Sequence, residues 1–164
     1  MGRRFAVLVN SAAGSVDETS EELAEITRAF ADQGIEATVS AVDPHKLPES
    51  MRDAWNSGVE AIIIAGGDGS VNCAAGVAAE TGIVLGVLPM GTFNHFAKDL
   101  GVPTNDIAEA VAWLARATMR PVDIGEVNGR AFVNNASIGV YPKMVADREA
   151  IREHRGWGKI RAAP

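Results

Sequence analysis

The hydrophobic positions of this chain form short continuous runs, separated by segments in which apolar residues recur every three or four positions. Continuous β-branched runs are typical of strands buried on both faces, and the helical spacing is typical of helices packed on such strands. Strands are predicted at residues 5–9, 35–42, 60–65 and 83–88. Helices are predicted between them, and this alternation indicates an α/β domain with a mostly parallel sheet.

A different pattern follows residue 121. Segments 122–127 and 130–137 flank Asn128-Gly129, a dipeptide typical of two-residue β-hairpins. An antiparallel hairpin is therefore predicted after the parallel unit, followed by a charged helix at residues 144–151. The chain has 164 residues, the length of one domain, so residues 1–164 are expected to form a single unit.

The strand at residues 60–65 runs directly into Gly66-Gly67-Asp68-Gly69-Ser70. Open α/β sheets bind ligands at the carboxyl ends of their strands. Glycines allow positive φ and a close approach of the backbone, and the N–H groups of such a turn and of the next helix converge on phosphate. Phosphate binding is therefore predicted here. The dinucleotide fingerprint would need a glycine at Asn72, and the P-loop would need Gly-Lys-Ser/Thr, so this is a different phosphate loop.

Asp68 needs a task, because a bare carboxylate in an anion-binding turn repels phosphate. It could help to hold Mg²⁺, or accept a proton from an attacking hydroxyl group. The alternative is structural: Asp-Gly is a good turn sequence, and the hydroxyl of Ser70 caps the following helix.

Composition narrows the classes of function. The formal net charge of −6 argues against nucleic acid as the main partner. The single cysteine, Cys73, excludes an internal disulfide, fits a reducing cytosol and is predicted to be a small buried residue. Neither a signal peptide nor a membrane span is visible in the sequence, so a cytoplasmic location is expected.

Two motifs together resemble the diacylglycerol kinase catalytic domain family, which includes bacterial lipid kinases and sphingosine kinases and is distantly similar to NAD kinases. The first motif is the turn at residues 66–70, which NAD kinases share. The second is Gly91-Thr92-Phe93-Asn94-His95-Phe96-Ala97-Lys98-Asp99-Leu100-Gly101, and its spacing from the first makes the resemblance specific. Further matches, within a resemblance that covers residues 5–161, are Asn10, Val122-Asp123-Ile124-Gly125 and Asn135-Ala136-Ser137-Ile138-Gly139.

The chain differs from the usual family motif at two positions. Ser70 stands where threonine is usual, which keeps a hydroxyl group at the start of the helix. His95 stands where aspartate is often found, so a catalytic His95 and a core or surface His95 are both open.

The resemblance implies a Rossmann-like three-layer domain with ATP along the carboxyl ends of the strands. Asp68 matches the acid proposed as the base in sphingosine kinases, and it is also the candidate ligand of Mg²⁺. Asp147 lies near the position of a family acid that contacts the lipid head group, which makes it the candidate substrate contact. The residues implied in nucleotide binding are Asn10, Ser40, Gly66, Gly67, Asp68, Gly69, Ser70, Asn72, Gly91, Thr92, Asn94, Arg155 and Arg161.

The implied reaction is in-line transfer of the γ-phosphoryl group from Mg²⁺-ATP to the hydroxyl group of a lipid such as diacylglycerol or a sphingosine-like molecule. A lipid acceptor also implies peripheral contact with the inner face of a membrane. Kinases of this family continue into a β-sandwich domain that helps to build the lipid pocket. The sequence of residues 1–164 shows no pattern that predicts this domain. Weak nucleotide binding and little or no lipid phosphorylation are therefore expected from this chain alone.

Two alternatives remain. An NAD kinase-like enzyme with a soluble substrate shares the Gly-Gly-Asp-Gly turn but should lack the motif at residues 91–101. A non-catalytic nucleotide-binding remnant would keep both motifs without the second domain.

Overall fold

The computed structural model describes residues 3–11 and 21–134. Four strands, β1 (Arg4–Asn10), β2 (Glu36–Val42), β3 (Ala61–Gly66) and β4 (Leu85–Pro89), form a parallel sheet in the order β2-β1-β3-β4. All four predicted strands are therefore confirmed, with ends shifted by one or two residues.

Helices cover both faces of this sheet. Alternate side chains of a strand point to opposite faces, so each face carries its own hydrophobic core. Phe5, Val7 and Val9 of β1 join the core beneath α1 (Glu21–Asp32) and α5 (Ile107–Arg116). Ala6 and Leu8 join the core beneath α2 (Leu47–Asn56) and α3 (Asp68–Thr81). A 3₁₀ turn (Pro44–Lys46) precedes α2, and the short helix α4 (His95–Leu100) follows β4. The three-layer α/β class is confirmed.

The antiparallel hairpin is also confirmed, although it is shorter than predicted. It consists of β5 (Gly125–Val127) and β6 (Arg130–Phe132). Asn128 and Gly129 have φ values of 50° and 73°, the pair of positive angles that a tight two-residue hairpin turn requires. The end of the predicted strand at residues 135–137 and the predicted helix at residues 144–151 lie outside the described residues.

The environment of Cys73 differs from the prediction, since this residue is exposed on α3 rather than buried. Helix α3 turns Val71, Ala74 and Ala75 toward the sheet, and Cys73 lies on the opposite side. None of the helices among residues 3–11 and 21–134 is long and apolar enough to cross a membrane.

The topology creates one crevice at the carboxyl edge of the sheet. The chain leaves β1 for β2 on one side, then crosses back over β1 to form β3 and β4 on the other. Helix α1 after β1 and helix α3 after β3 lie on opposite faces, so the connections diverge between these two strands. Such a switch point is where open α/β sheets bind ligands.

Candidate functional site

Two glycine turns touch each other at this edge. A Cβ atom on Gly91 would collide with the Cα of Gly67 and lie 2.9 Å from Oδ1 of Asn94. A Cβ atom on Gly67 would lie 3.2 Å from the Cα of Gly91. The close approach of the two backbones therefore requires glycine at position 91 and leaves little room for a side chain at position 67.

The expectation that the first turn uses positive φ is wrong. Gly67 has a φ of −93°, and neither Gly66 nor Gly69 has a positive φ. Gly66 is limited by space as well, since a Cβ atom there would lie 2.9 Å from Oγ of Ser70. Gly69 is exposed, and a Cβ atom on it would meet nothing within 4 Å.

Helix α3 begins at Asp68, with Gly67 as its N-cap, and not at Ser70. Its first backbone hydrogen bond runs from the nitrogen of Val71 to the oxygen of Gly67, at 3.1 Å. The N–H groups of Asp68, Gly69 and Ser70 therefore have no acceptor one turn earlier in the helix. These groups and the positive end of the helix dipole favour an anion beside Gly69.

Ser70 links the two strands that flank the crevice. It is buried at the third position of α3, and its Oγ accepts a hydrogen bond of 2.6 Å from Nδ2 of Asn10 at the end of β1. The structural alternative that Ser70 caps the helix is wrong, because Gly67 occupies the cap position. Asn10 and Ser70 were both candidate site residues, and the structure brings them together.

Asn94 closes the second turn on itself. Its Oδ1 accepts from the nitrogen of Gly91 at 2.9 Å, and its Nδ2 donates to the oxygen of Gly91 at 2.8 Å. Asn94 is buried and has a left-handed backbone, with a φ of 52°. The turn consequently presents Thr92, which is exposed and whose hydroxyl group forms no hydrogen bond within the described residues.

His95 lies on the surface beside this turn, so the core alternative is excluded. Its ring stacks on the exposed ring of Phe93, with centroids 5.6 Å apart and planes inclined by 9°. The pair forms an aromatic surface next to Thr92.

Asp68 is held by groups from two other elements. Its Oδ1 accepts from the backbone nitrogen of Phe96 at 3.4 Å and from Nδ2 of Asn134 at 3.2 Å. Phe96 lies in the first turn of α4, whose N-cap residue Asn94 makes no capping hydrogen bond. Asp68 therefore supplies from α3 the acceptor that α4 lacks. The sequence motifs did not indicate Asn134, which lay inside the predicted strand at residues 130–137.

The other predicted site residues are placed differently. Oδ1 of Asn72 accepts from the backbone nitrogen of Val133 at 3.0 Å, so this side chain anchors the segment after β6. Ser40 lies in β2, paired with Leu8, and is separated from β3 by β1. Asp147, Arg155 and Arg161 lie outside the described residues.

The described residues provide one carboxylate at this site and no metal cluster. Within residues 3–11 and 21–134, no group of three or more His, Cys, Asp and Glu side chains could hold a metal ion. Mg²⁺ is often bound through one or two carboxylates together with substrate phosphates and water. A single carboxylate therefore fits a magnesium ion that arrives with a polyphosphate.

A cavity of about 550 Å³ lies along the outer edge of β4, and none of residues 66–70 or 90–94 lines it. Its lining is apolar except for Arg3, Thr118 and Arg120, and it includes side chains of α3 and α5 such as Ala78 and Trp113. The N–H groups at the start of α3 are not part of this cavity, whose charged side chains are those of Arg3 and Arg120.

The fold and the site together define an α/β domain in which two glycine turns meet at the switch point of a parallel sheet. The sequence model of the diacylglycerol kinase catalytic domain matches residues 4–127. A diacylglycerol kinase of Bacillus subtilis (strain 168) is 32% identical over 148 residues, which cover 88% of this chain and 48% of that protein. A YegS-like lipid kinase of Chromohalobacter salexigens is 31% identical over 137 residues, which cover 81% of this chain and 43% of that protein.

A solved structure agrees with these relatives. The crystal structure of a diacylglycerol kinase from Bacillus anthracis matches with a TM-score of 0.64 and 30% identity, over 80% of this chain and 46% of that chain. The chain therefore belongs to the diacylglycerol kinase catalytic domain family, as its two motifs predicted. It spans about half the length of the curated relatives it matches.

Proposed function

We propose that this chain is the nucleotide-binding part of an ATP-dependent lipid kinase. The observation that carries the proposal is the contact between the turn at Gly67 and the turn at Gly91, at the switch point of the sheet and beside the carboxylate of Asp68. The N–H groups of Met90 and Gly91 are bonded within the turns, so the donors proposed for a ligand are the N–H groups at the start of α3 and the hydroxyl group of Thr92. This arrangement suits a polyphosphate, because it offers donors without bulky side chains.

The phosphates of ATP are proposed to lie against the first turn of α3. The N–H groups of Asp68, Gly69 and Ser70 face them from one side, and the hydroxyl group of Thr92 faces them from the other. The nucleoside would extend along the ends of β1 and β2, near Asn10 and Ser40. Arg155 and Arg161 remain proposed phosphate ligands on the basis of the resemblance.

Asp68 is proposed to act on the reacting end of the nucleotide. When Mg²⁺ is bound, it neutralises charge on the phosphates and fixes their geometry. Asp68 would hold this ion through the carboxylate oxygen that is not occupied by Phe96 and Asn134. The same oxygen could instead take the proton of the attacking hydroxyl group, and the two roles differ in their dependence on Mg²⁺.

The acceptor is proposed to be a lipid with a free hydroxyl group, such as diacylglycerol. The names of the relatives support a lipid acceptor, and Asp147 is the proposed contact to its head group. Such an acceptor would require peripheral contact with the cytoplasmic face of a membrane. The remaining half of the relatives' length leaves room for the β-sandwich domain that the resemblance implies.

An acceptor assay tests this function. The protein in its longest natural form should transfer the γ-phosphoryl group of ATP to diacylglycerol or sphingosine in mixed micelles, and not to NAD. Residues 1–164 alone should show little or no transfer to either class, since the lipid pocket lies mostly in the second domain.

Other outcomes have distinct meanings. Phosphorylation of NAD would contradict the proposal of a lipid kinase and favour a kinase with a soluble substrate. ATP binding without transfer to any acceptor would favour the non-catalytic remnant. Robust lipid phosphorylation by residues 1–164 alone would contradict the expected need for a second domain.

A further inference from the structure

Only one of the two polar groups of the Asn134 side chain has a hydrogen-bond partner among the described residues. Its Nδ2 donates to Oδ1 of Asp68 at 3.2 Å, whereas its own Oδ1 is buried and has no hydrogen-bond partner within the described residues. An ionised carboxylate only accepts hydrogen bonds, so the nitrogen of the amide must face Asp68. The unpaired oxygen follows from that orientation, and an unpaired buried acceptor is unfavourable.

The segment after the hairpin is docked along one face of α3. Residues four positions apart on a helix lie on the same face, so Asp68, Asn72 and Gly76 form one line. The chain runs past this line with three successive contacts: Ala131 opposite Gly76, Val133 bonded to Asn72, and Asn134 bonded to Asp68. A Cβ atom on Gly76 would lie 3.6 Å from Cβ of Ala131, an ordinary contact distance, which shows how closely β6 lies to the helix.

We propose that Asn134 is a positioning residue for Asp68. With Phe96 it fixes one carboxylate oxygen, from the hairpin segment and from α4 respectively, and this directs the second oxygen to the crevice. The docking of the hairpin thus determines the orientation of the only carboxylate among the described residues that lies between the two glycine turns. Asn134 acts through Asp68 and does not itself need to touch the nucleotide.

The amide of Phe96 is a built-in reporter, because its N–H group donates to the same oxygen of Asp68. In residues 1–164, Asn134→Leu should shift the Phe96 amide resonance in the same direction as Asp68→Asn. The double variant should shift it no further than Asp68→Asn alone. An unchanged Phe96 resonance in Asn134→Leu would overturn the proposal, whether or not the protein binds a nucleotide.

A second readout rests on the proposed function, in the form in which Asp68 holds Mg²⁺. Asn134→Leu should weaken Mg²⁺-ATP binding by about tenfold, the equivalent of one charge-assisted hydrogen bond, and Asp68→Asn should weaken it to the same extent. Because one residue acts through the other, the double variant should bind no more weakly than either single variant. Additive losses would overturn the positioning role. Absence of binding by the unmodified chain would instead count against the proposed function, and the Phe96 resonance would still decide the role of Asn134.

An exchanged pair separates positioning from simple stabilisation, and it covers the case in which Asn134→Leu does not fold. Asp68→Asn combined with Asn134→Asp reverses donor and acceptor, so the hydrogen bond between the two side chains should be kept, at some cost in stability because one carboxylate oxygen at position 134 is buried without a partner. Mg²⁺-ATP binding should stay weak, because the charge has moved from α3 to the hairpin segment. Restored nucleotide binding would show that the pair is only structural.

Discussion

Replacing Gly91 with alanine is expected to destabilise the fold by about 3 kcal/mol, the upper part of the range for overpacked sites. The added methyl group would collide with the Cα of Gly67 and crowd Oδ1 of Asn94. A backbone atom cannot rotate away as a flexible side chain can, so one of the two turns must move. Nucleotide binding should be lost together with stability, since the turns form the two walls of the crevice. Urea unfolding followed by circular dichroism measures the first effect.

Gly69→Ala is the matched control for this substitution. Gly69 lies in the same motif, but a Cβ atom there meets nothing within 4 Å, and the residue is part of the first turn of α3. Alanine favours a helix over glycine by up to about 1 kcal/mol, so stability should be unchanged or slightly raised. Equal stability of Gly91→Ala and Gly69→Ala would contradict the close contact between the backbones of Gly67 and Gly91.

Asp68→Asn is expected to lower kcat for lipid phosphorylation by about 10²- to 10⁴-fold in the longest natural form, the usual effect of removing a general base. The asparagine keeps the size of the side chain, so folding should be retained. If Asp68 is the base, the affinity for Mg²⁺-ATP should change little. If Asp68 holds the metal ion instead, the decrease in kcat should be smaller at high Mg²⁺ concentration.

Asp99→Asn provides the corresponding control, because Asp99 is an exposed carboxylate on α4 outside the crevice. Its activity should remain close to that of the unmodified protein. If Asp68→Asn and Asp99→Asn have equal activities, Asp68 takes no part in the reaction.

The layers of the fold were predictable because burial imposes a simple pattern. Strands covered on both faces, such as β1 and β3, need continuous apolar runs, and the turn at Asn128-Gly129 needs two residues that tolerate positive φ. Helix ends were less predictable. Ser70 satisfies the local rule for a capping residue, but its partner is Asn10, 60 positions away. Local sequence carries no information about such a contact.

For the candidate site, the sequence pointed to residues but not to their geometry. Gly67 and Gly91 lie in backbone contact, so what favours glycine there is close packing and not positive φ, and glycine is compatible with both. The partner of Asp68 was missed because Asn134 is 66 positions further along the chain, after a hairpin that contacts α3 through the hydrogen bond from Val133 to Asn72. Cys73 was misplaced because its side of α3 faces away from the sheet.

Calorimetric titration of Mg²⁺-ATP into the Gly69→Asp and Gly69→Asn variants tests most directly whether the phosphates lie on the first turn of α3. The two side chains have nearly the same shape, open space is available for both, and an acid in the first turn is compatible with the helix dipole. Both variants should therefore fold alike. The aspartate places a negative charge beside the phosphates, so it should bind ATP at least about tenfold more weakly than the asparagine, and added salt should reduce the difference. Equal affinities of the two variants would place the polyphosphate elsewhere and contradict the proposed site.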